Sequence, residues 1–339
     1  MKNTKLKICD VTIHPGEVTN LALPLPERYS CAPMYMPIKV IHGRKKGPCL
    51  LIFSSLNGDE LNGIEIVNRV VTSLSPEKIN GTVIAIPIVN VYGLTRSTNM
   101  LPGGMSLVDC FPGKQDGTFG ERFAYLFTEE ILKKADFCIE LQTGALNHNI
   151  LPQVYCNFDN KDSKKLAKVF QAPVVTNVTV DNHKLRKTTD ELQIPFLAYE
   201  AGEAMRFDEN AISVGVNGVI NVMIEIGVMS NEAITDINPI FSQDEDWLRA
   251  HKCGILYSNV GLGQTIEKNE IIGTIVDPFG NEPNEPVKAT TKGIVVGINT
   301  TPLIYEGMSI FKITSFLDYD KAENIIEKWD QKQEDSILN

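Results

Sequence analysis

The chain has 339 residues, of which 43% are hydrophobic and 22% charged, and its formal net charge is -10. This composition is typical of a globular protein with a sizeable core, and the acidic balance argues against nucleic acid or an anionic membrane as its main partner. No apolar run approaches the roughly 20 residues that cross a bilayer, so no membrane span is expected. No apolar segment follows the basic N-terminus, so no signal peptide is expected either.

The cysteines indicate the compartment. All seven are scattered along the chain, and none forms a C-x-x-C pair. Several, such as Cys49 and Cys138, lie inside apolar runs. This pattern predicts buried free thiols in a reducing environment, so we expect a cytoplasmic protein.

After a proline-interrupted region of short strands over residues 1–45, strand and helix patterns alternate along the chain. This alternation predicts an α/β fold with a mixed, largely parallel sheet and helices on both faces. The predicted strands are Leu50–Phe53, Thr82–Val89, Phe137–Leu141, Thr176–Val180 and Phe196–Tyr199. The predicted helices are Glu60–Leu74, Gly120–Lys134, Ser163–Gln171 and Asn210–Val228.

The pattern changes near residue 245. From Lys252 to Thr314 the chain consists of short β runs separated by glycines, which predicts a small barrel or sandwich. We therefore predict an α/β domain over residues 1–245, a small all-β domain over 246–320 and a polar C-terminal tail over 321–339.

The segment Ser54–Gly63 follows a buried strand and leads into a helix. It carries two carboxylates, Asp59 and Glu60, and the amide of Asn57. In open α/β sheets, ligands bind at the carboxyl ends of strands. The segment therefore marks the predicted site, although both carboxylates could instead serve only to cap the helix.

Four segments, in order, resemble the signatures of the succinylglutamate desuccinylase/aspartoacylase family, relatives of the zinc carboxypeptidases. The first is N-G-D-E-L-N-G at Asn57–Gly63, where the family has H-G-D-E-x-N-G. The others are Asn90–Gly93 with Ser106–Gly113, E-L-Q-T-G at Glu140–Gly144, and E-A-G-E at Glu200–Glu203. The resemblance implies a zinc carboxypeptidase-like fold, followed by the small β domain that many bacterial members carry.

The resemblance also implies site residues. The family's three zinc ligands fall on Asn57, Glu60 and Gln142, and its catalytic glutamate falls on Glu200. Asn99 and Asp109 occupy positions where the family has substrate-binding arginines, so they are predicted to line the substrate pocket. His148, six residues beyond Gln142, is a further pocket candidate.

The departures from the family pattern fall at the implied zinc-ligand and substrate-binding positions. Zinc favours imidazole and thiolate, and an amide oxygen is a weak donor to it, so two amides in place of two histidines predict poor zinc binding. Aspartate in place of arginine reverses the charge where an anionic substrate group would dock. Arg96 and Arg122 lie nearby in sequence but on neither family position. No cofactor is therefore expected, and zinc is implied by resemblance only.

Two structural alternatives stay open for these side chains. Asn57 and Gln142 could hydrogen-bond to one another and fill the space of a metal. Glu200 could be a solvated acid at a strand end.

Three functional hypotheses follow from the sequence. In the first, the protein has lost zinc-dependent hydrolysis and binds a small molecule or a partner protein in the cleft where the family's active site would lie. In the second, it is an amide hydrolase acting on N-acyl amino acids with a non-zinc cation such as Mg, Mn or Ca, because its acidic and amide side chains offer oxygen ligands. In the third, it is a structural subunit. A homo-oligomer is compatible with each hypothesis.

Overall fold

The computed structural model describes residues 2–27, 33–230, 238–242, 244–316 and 322–329. The strands are β1 (Leu6–Ile8), β2 (Val11–Ile13), β3 (Val18–Pro24), β4 (Tyr35–His42), β5 (Lys45–Ser54), β6 (Asn80–Ile86), β7 (Phe137–Gly144), β8 (His148–Cys156), β9 (Val174–Asn177), β10 (Phe196–Glu203), β11 (Ile240–Ser242), β12 (Asp244–Arg249), β13 (Gly254–Ser258), β14 (Thr265–Ile266), β15 (Ile271–Val276), β16 (Glu285–Lys288), β17 (Gly293–Asn299), β18 (Leu303–Ile304) and β19 (Ser309–Ser315). The helices are α1 (Asn62–Ser73), α2 (Val91–Leu94), α3 (Phe119–Glu130), α4 (Lys161–Phe170), α5 (Lys184–Glu191) and α6 (Glu209–Glu225).

The central sheet confirms the predicted fold class. Strands β6, β5, β7 and β10 are parallel neighbours, while β8 runs antiparallel to β10 and parallel to β9, and β4 runs antiparallel to β6. One hydrophobic cluster packs α1, α4 and α6 on one face, and a second packs α3 and α5 on the other. Helices therefore cover both faces. Among the described helices, none is both long enough and apolar enough to cross a membrane.

Local sequence explains several of the helix N-termini. Thr118 and Glu121 form a capping box at the start of α3. Asp208 accepts the amide of Ala211 at the start of α6, and Asn160 caps α4 in the same way.

Strand β8 and helix α5 lie outside the predicted elements. Pro152 lies inside β8, and proline is depleted in strand interiors because it cannot donate to the ladder. It is tolerated here because the β8–β10 register shifts between Glu200 and Gly202. The predicted strand Thr82–Val89 ends earlier, at Ile86, where Pro87 interrupts donation. The strand predicted at Thr176–Val180 lies instead at Val174–Asn177.

The C-terminal β strands form a unit that is continuous with the central sheet. Strand β12 pairs with β19, β19 with β17, and β17 with the first half of β8. A four-stranded sheet, in the order β16-β15-β13-β18, packs beside them around its own apolar cluster. Strand β11, which pairs in the α/β part, ends at Ser242, and β12 of the β unit begins at Asp244.

Part of the predicted polar tail packs into the core. Residues 322–329 are helical, and Ala322, Ile326 and Trp329 are buried in the cluster that contains α1 and α6. Their spacing places the three apolar side chains on one helix face, so this segment is an amphipathic helix. Residues 330–339 lie outside the described part of the chain.

Candidate functional site

The turn after β5 is held close to its neighbours by glycines. A Cβ atom on Gly58 would lie 2.0 Å from the carbonyl carbon of Gly93 in α2. A Cβ atom on Gly63 would lie 2.0 Å from the Ser54 Oγ and 2.7 Å from the Leu141 carbonyl oxygen. Only glycine permits these approaches. The first family-like segment therefore packs directly on the second and the third.

The third and fourth segments are joined in the same way. A Cβ atom on Gly144 would lie 2.7 Å from the Gly202 carbonyl oxygen. The Asn62 side chain donates to the Ala201 carbonyl and accepts the Asp208 amide. All four segments, which are far apart in sequence, thus meet at the carboxyl ends of β5, β7 and β10, as ligand sites do in α/β sheets.

Asn57 and Glu60 form a closed pair within this turn. The Asn57 side-chain amide donates to Glu60 Oε1 at 2.9 Å, and its backbone N–H donates to Glu60 Oε2 at 3.1 Å. Both oxygens of this carboxylate, which is only 3% exposed, are therefore engaged from within the turn. The alternative in which Asn57 and Gln142 bond to one another is not found among the described residues: the Asn57 amide donates to Glu60, and the Gln142 side chain interacts with Glu140. Helix α1 begins at Asn62, and no side chain caps it by a hydrogen bond.

A second buried carboxyl group, Glu140, lies beside Glu60. Burial raises the pKa of Glu60 well above its usual value, and the charge of Glu140 raises it further. Burial also raises the pKa of Glu140, while Arg186 and Gln142 favour its charged form. Glu140 is fully buried, yet neither of its oxygens has a hydrogen bond of ordinary geometry within the described residues. Burial therefore works against the charged form of both carboxyl groups, while the hydrogen bonds from Asn57 and the charge of Arg186 work in its favour.

Glu200 lies in a row of polar side chains across three strands. Its Cα pairs with Gln142 on β7 and with Gln153 on β8. Side chains alternate between faces along a strand, so Glu200 and Glu140 share the face of the sheet that carries α3. The sequence-predicted Glu60, Gln142 and Glu200 are thus brought to one region. The prediction that Glu200 is catalytic stays a prediction.

A buried phenol and a lysine adjoin this row, and neither was found from the sequence. Tyr155 lies diagonally from Glu200 on β8 and accepts hydrogen bonds from Gln153 Nε2 at 2.6 Å and Lys312 Nζ at 2.7 Å. The Lys312 ammonium also pairs with Glu245 at 2.6 Å. A lysine in the middle of the apolar strand β19 is the sequence signal that could have revealed this cluster.

Arg186 of α5 places a guanidinium close to these groups. Its Cζ lies 5.6 Å from the centre of the Tyr155 ring, and its Nε is buried without a hydrogen-bond partner among the described residues. Its charge lowers the pKa of Glu140 against the effect of burial. The sequence did not reveal Arg186 as a site residue, because its pattern did not predict helix α5.

His148 begins β8, where the α/β part meets the β unit. Its ring lies 4.7 Å from that of Trp247, and its Nε2 is 3.4 Å from the Asn299 side-chain nitrogen. Burial lowers the pKa of His148, against a hydrogen bond to Ser309 and the charges of Glu200 and Glu203. The imidazole is therefore favoured in its neutral form.

Asn99 and Asp109 are exposed, and no hydrogen bond or ion pair joins either side chain to Glu60 or Glu200 within the described ranges. Their assignment to the substrate pocket stays a prediction. An open cavity of about 700 Å³ is lined by Glu203 of the fourth segment, together with residues that include Asn149 and Thr300.

The side chains at the implied zinc position do not fit zinc. Structural and catalytic zinc sites take at least three strong ligands, chiefly imidazole, thiolate or carboxylate. Here the Glu60 oxygens are held by Asn57, which presents donors to them. In the part of the chain that the structure describes, no three His, Cys, Asp or Glu side chains are grouped to hold a metal ion.

The mixed sheet and the polar site at its strand ends define an α/β protein of the zinc carboxypeptidase-like class. The chain belongs to the succinylglutamate desuccinylase/aspartoacylase family, because the family profile described as "Succinylglutamate desuccinylase/Aspartoacylase catalytic domain" matches residues 46–226. The predicted family membership is therefore confirmed.

Relatives and solved structures agree with this assignment. N-alpha-acetyl-L-2,4-diaminobutyric acid deacetylase of Halomonas elongata is 26% identical over 255 residues, which cover 71% of this chain and 74% of that protein. A succinylglutamate desuccinylase/aspartoacylase from Rhodobacter sphaeroides has a TM-score of 0.80 at 21% identity, covering 88% of this chain and 96% of that one. The product-bound ectoine utilization protein EutE (DoeB) from Ruegeria pomeroyi has a TM-score of 0.80 at 20% identity, covering 88% and 95%. At these identities the structures show the shared fold.

Proposed function

We propose that this protein binds a small N-acyl amino acid, or a chemically similar amide, at the polar site around Glu200 without zinc-dependent hydrolysis. The observation that carries this proposal is the Asn57–Glu60 pair, in which amide and backbone donors take up both carboxylate oxygens. A side chain that donates to Glu60 occupies the place where the family resemblance implies a metal ligand. The named activity of the Halomonas elongata relative suggests the class of ligand.

Metal content tests the first half of the proposal. Purified wild-type protein is expected to carry well under one zinc per chain by elemental analysis after zinc loading and desalting. The matched control is the double variant Asn57→His/Gln142→His, which restores imidazole at both implied ligand positions and is expected to bind more zinc than wild type. Stoichiometric zinc in the wild type would refute this half.

Ligand binding tests the second half. Calorimetric titration with N-acetyl-L-2,4-diaminobutyrate is expected to show binding by the wild type and weaker binding by Glu200→Gln. Glu267→Gln, a change at an exposed ion pair in the β unit, is the control. Absence of binding across a panel of N-acyl amino acids would refute the proposed ligand class.

A second candidate is an amide hydrolase that uses a non-zinc divalent cation. The buried oxygens of Glu140, which have no hydrogen bond of ordinary geometry among the described residues, favour it, because hard cations bind carboxylate oxygen. Hydrolysis of N-acyl amino acids would then depend on Mg, Mn or Ca and be abolished in Glu200→Gln. No hydrolysis with any of these ions would reject this candidate.

We further propose a cytoplasmic location. The described cysteines are all free thiols, as a reducing compartment would require. A partner protein in the cleft, or a role as a subunit, would appear as a stable larger species in size-exclusion chromatography with light scattering on protein purified from lysate.

A further inference from the structure

The β unit places a buried ion pair next to the candidate site. Lys312 on β19 is 9% exposed, and its ammonium pairs with Glu245 on β12 and donates to Tyr155 on β8. The side chains of Lys312 and Glu245 are only 11% and 16% exposed. Each ion therefore loses most of its hydration, a cost that replacement by apolar residues would avoid.

The hydrogen-bond pattern at Tyr155 points its proton toward a carboxylate. The phenol oxygen has two lone pairs, and Gln153 and Lys312 donate to it at 2.6 and 2.7 Å. Its own O–H must therefore donate to another group. It donates to Glu245 Oε2 at 3.5 Å, a long hydrogen bond, and Glu200 lies on the neighbouring strand, diagonally across the same face. After burial, the charge of Glu200 is the largest influence that raises the pKa of Tyr155.

We propose that Lys312 is a positioning residue of the candidate site: through the Tyr155 hydroxyl it orients Glu200, so that the C-terminal β unit completes the site. The inference rests on the proposed function in that Glu200 contacts the ligand. It assigns the β unit a role beyond packing. The strand pairing of β17 with β8 fixes the distance between Lys312 and Tyr155.

A purely structural ion pair is the competing explanation. Elsewhere in the β unit, Lys292 pairs with Glu267, but both side chains are substantially exposed, at 40% and 65%. That pair supplies the matched control, because Lys292→Met removes a lysine–glutamate pair from the same unit away from Glu200.

A ligand-free experiment tests the link directly. In protein labelled with ¹³C at the glutamate carboxyl carbons, the Glu200 resonance is assigned from its loss in Glu200→Gln. Lys312→Met and Tyr155→Phe are both expected to shift this resonance, whereas Lys292→Met leaves it in place. Tyr155→Phe preserves ring packing and removes only the hydroxyl, so it remains informative if Lys312→Met fails to fold. An unmoved Glu200 resonance in Tyr155→Phe would overturn the inference.

A double-mutant cycle then separates positioning from packing. With N-acetyl-L-2,4-diaminobutyrate as the probe, Lys312→Met is expected to weaken binding about tenfold in wild-type protein and less than about twofold in Glu200→Gln. An equal effect in both backgrounds would overturn the inference, since the lysine would then act independently of Glu200. If the wild type does not bind the probe, the proposed ligand class fails, and the carboxyl resonance alone decides the inference.

Discussion

Replacing Asn57 by aspartate turns the donor that faces Glu60 into a second acceptor. In the wild type, the Asn57 amide lies 2.9 Å from Glu60 Oε1, and Glu60 is 3% exposed. Asn57→Ala removes this hydrogen bond and leaves a buried oxygen without it, which costs about 1–3 kcal/mol of unfolding free energy. Asn57→Asp removes the same bond and adds a like charge. At an effective dielectric constant of about 20, two charges ~4 Å apart repel by about 4 kcal/mol.

Protonation relieves part of this repulsion, so the expected excess cost of Asn57→Asp over Asn57→Ala is about 2 kcal/mol near neutral pH. The sign of the pH dependence follows from linkage. Like-charge proximity raises the folded-state pKa of the pair above its unfolded value, so the folded state binds the extra proton first. Stability of Asn57→Asp is therefore greatest at acidic pH and is lost as pH rises through the folded-state pKa.

Urea unfolding of wild type, Asn57→Ala and Asn57→Asp at about pH 5.5 and about pH 8, followed by circular dichroism, measures these differences. The gap between the two variants is expected to narrow at the lower pH. If Asn57→Asp is as stable as Asn57→Ala at the higher pH, Glu60 does not face the Asn57 side chain, and the closed-pair description of the turn is refuted.

Three further predictions concern the scaffold. Gly58→Ala is expected to lower the free energy of unfolding by more than about 3 kcal/mol, because its Cβ would lie 2.0 Å from the Gly93 carbonyl carbon. Gly261→Ala is the control: a Cβ there has nothing within 4 Å, so this variant is expected to unfold in urea nearly as the wild type does. Burial lowers the pKa of His183 to about 3 from 6.5, so the unfolded chain takes up a proton at a higher pH than the folded chain does. The free energy of unfolding therefore falls as pH drops from 6.5 toward 3. His183→Asn, which can still cap α5, is expected to show a shallower fall. Trp329→Ala is expected to cost about 3–5 kcal/mol in thermal or urea unfolding because Trp329 is buried in the core.

Specific outcomes would contradict these three. Equal stability of Gly58→Ala and Gly261→Ala would mean that the turn does not pack on α2. Identical acid profiles for wild type and His183→Asn would place His183 in solvent. A Trp329→Ala variant as stable as wild type would mean that residues 322–329 do not pack against the α/β core.

Much of the fold follows from local pattern. The buried strand before Ser54–Gly63, the helix after it and the long helix near the end of the α/β part all have strong periodicity, and the structure places β5, α1 and α6 there. Strand β8 was missed because Pro152 is tolerated only opposite a register shift on β10, and such a shift depends on the partner strand. Helix α5 has few apolar residues, so its periodicity is weak.

The sequence by itself determined the family, because the family resemblance depends on short segments with fixed spacing and glycines. It also predicted a site at Ser54–Gly63 with Asn57, Glu60, Gln142 and Glu200, and this assignment stays a prediction. Only the tertiary structure decided how these side chains are paired. Asn57 donates to Glu60 rather than to Gln142 because hydrogen bonds depend on distance and direction. Lys312 reaches Tyr155, 157 positions away, because β17 pairs with both β8 and β19. Such long-range neighbours are set by strand pairing, on which local spacing carries no information.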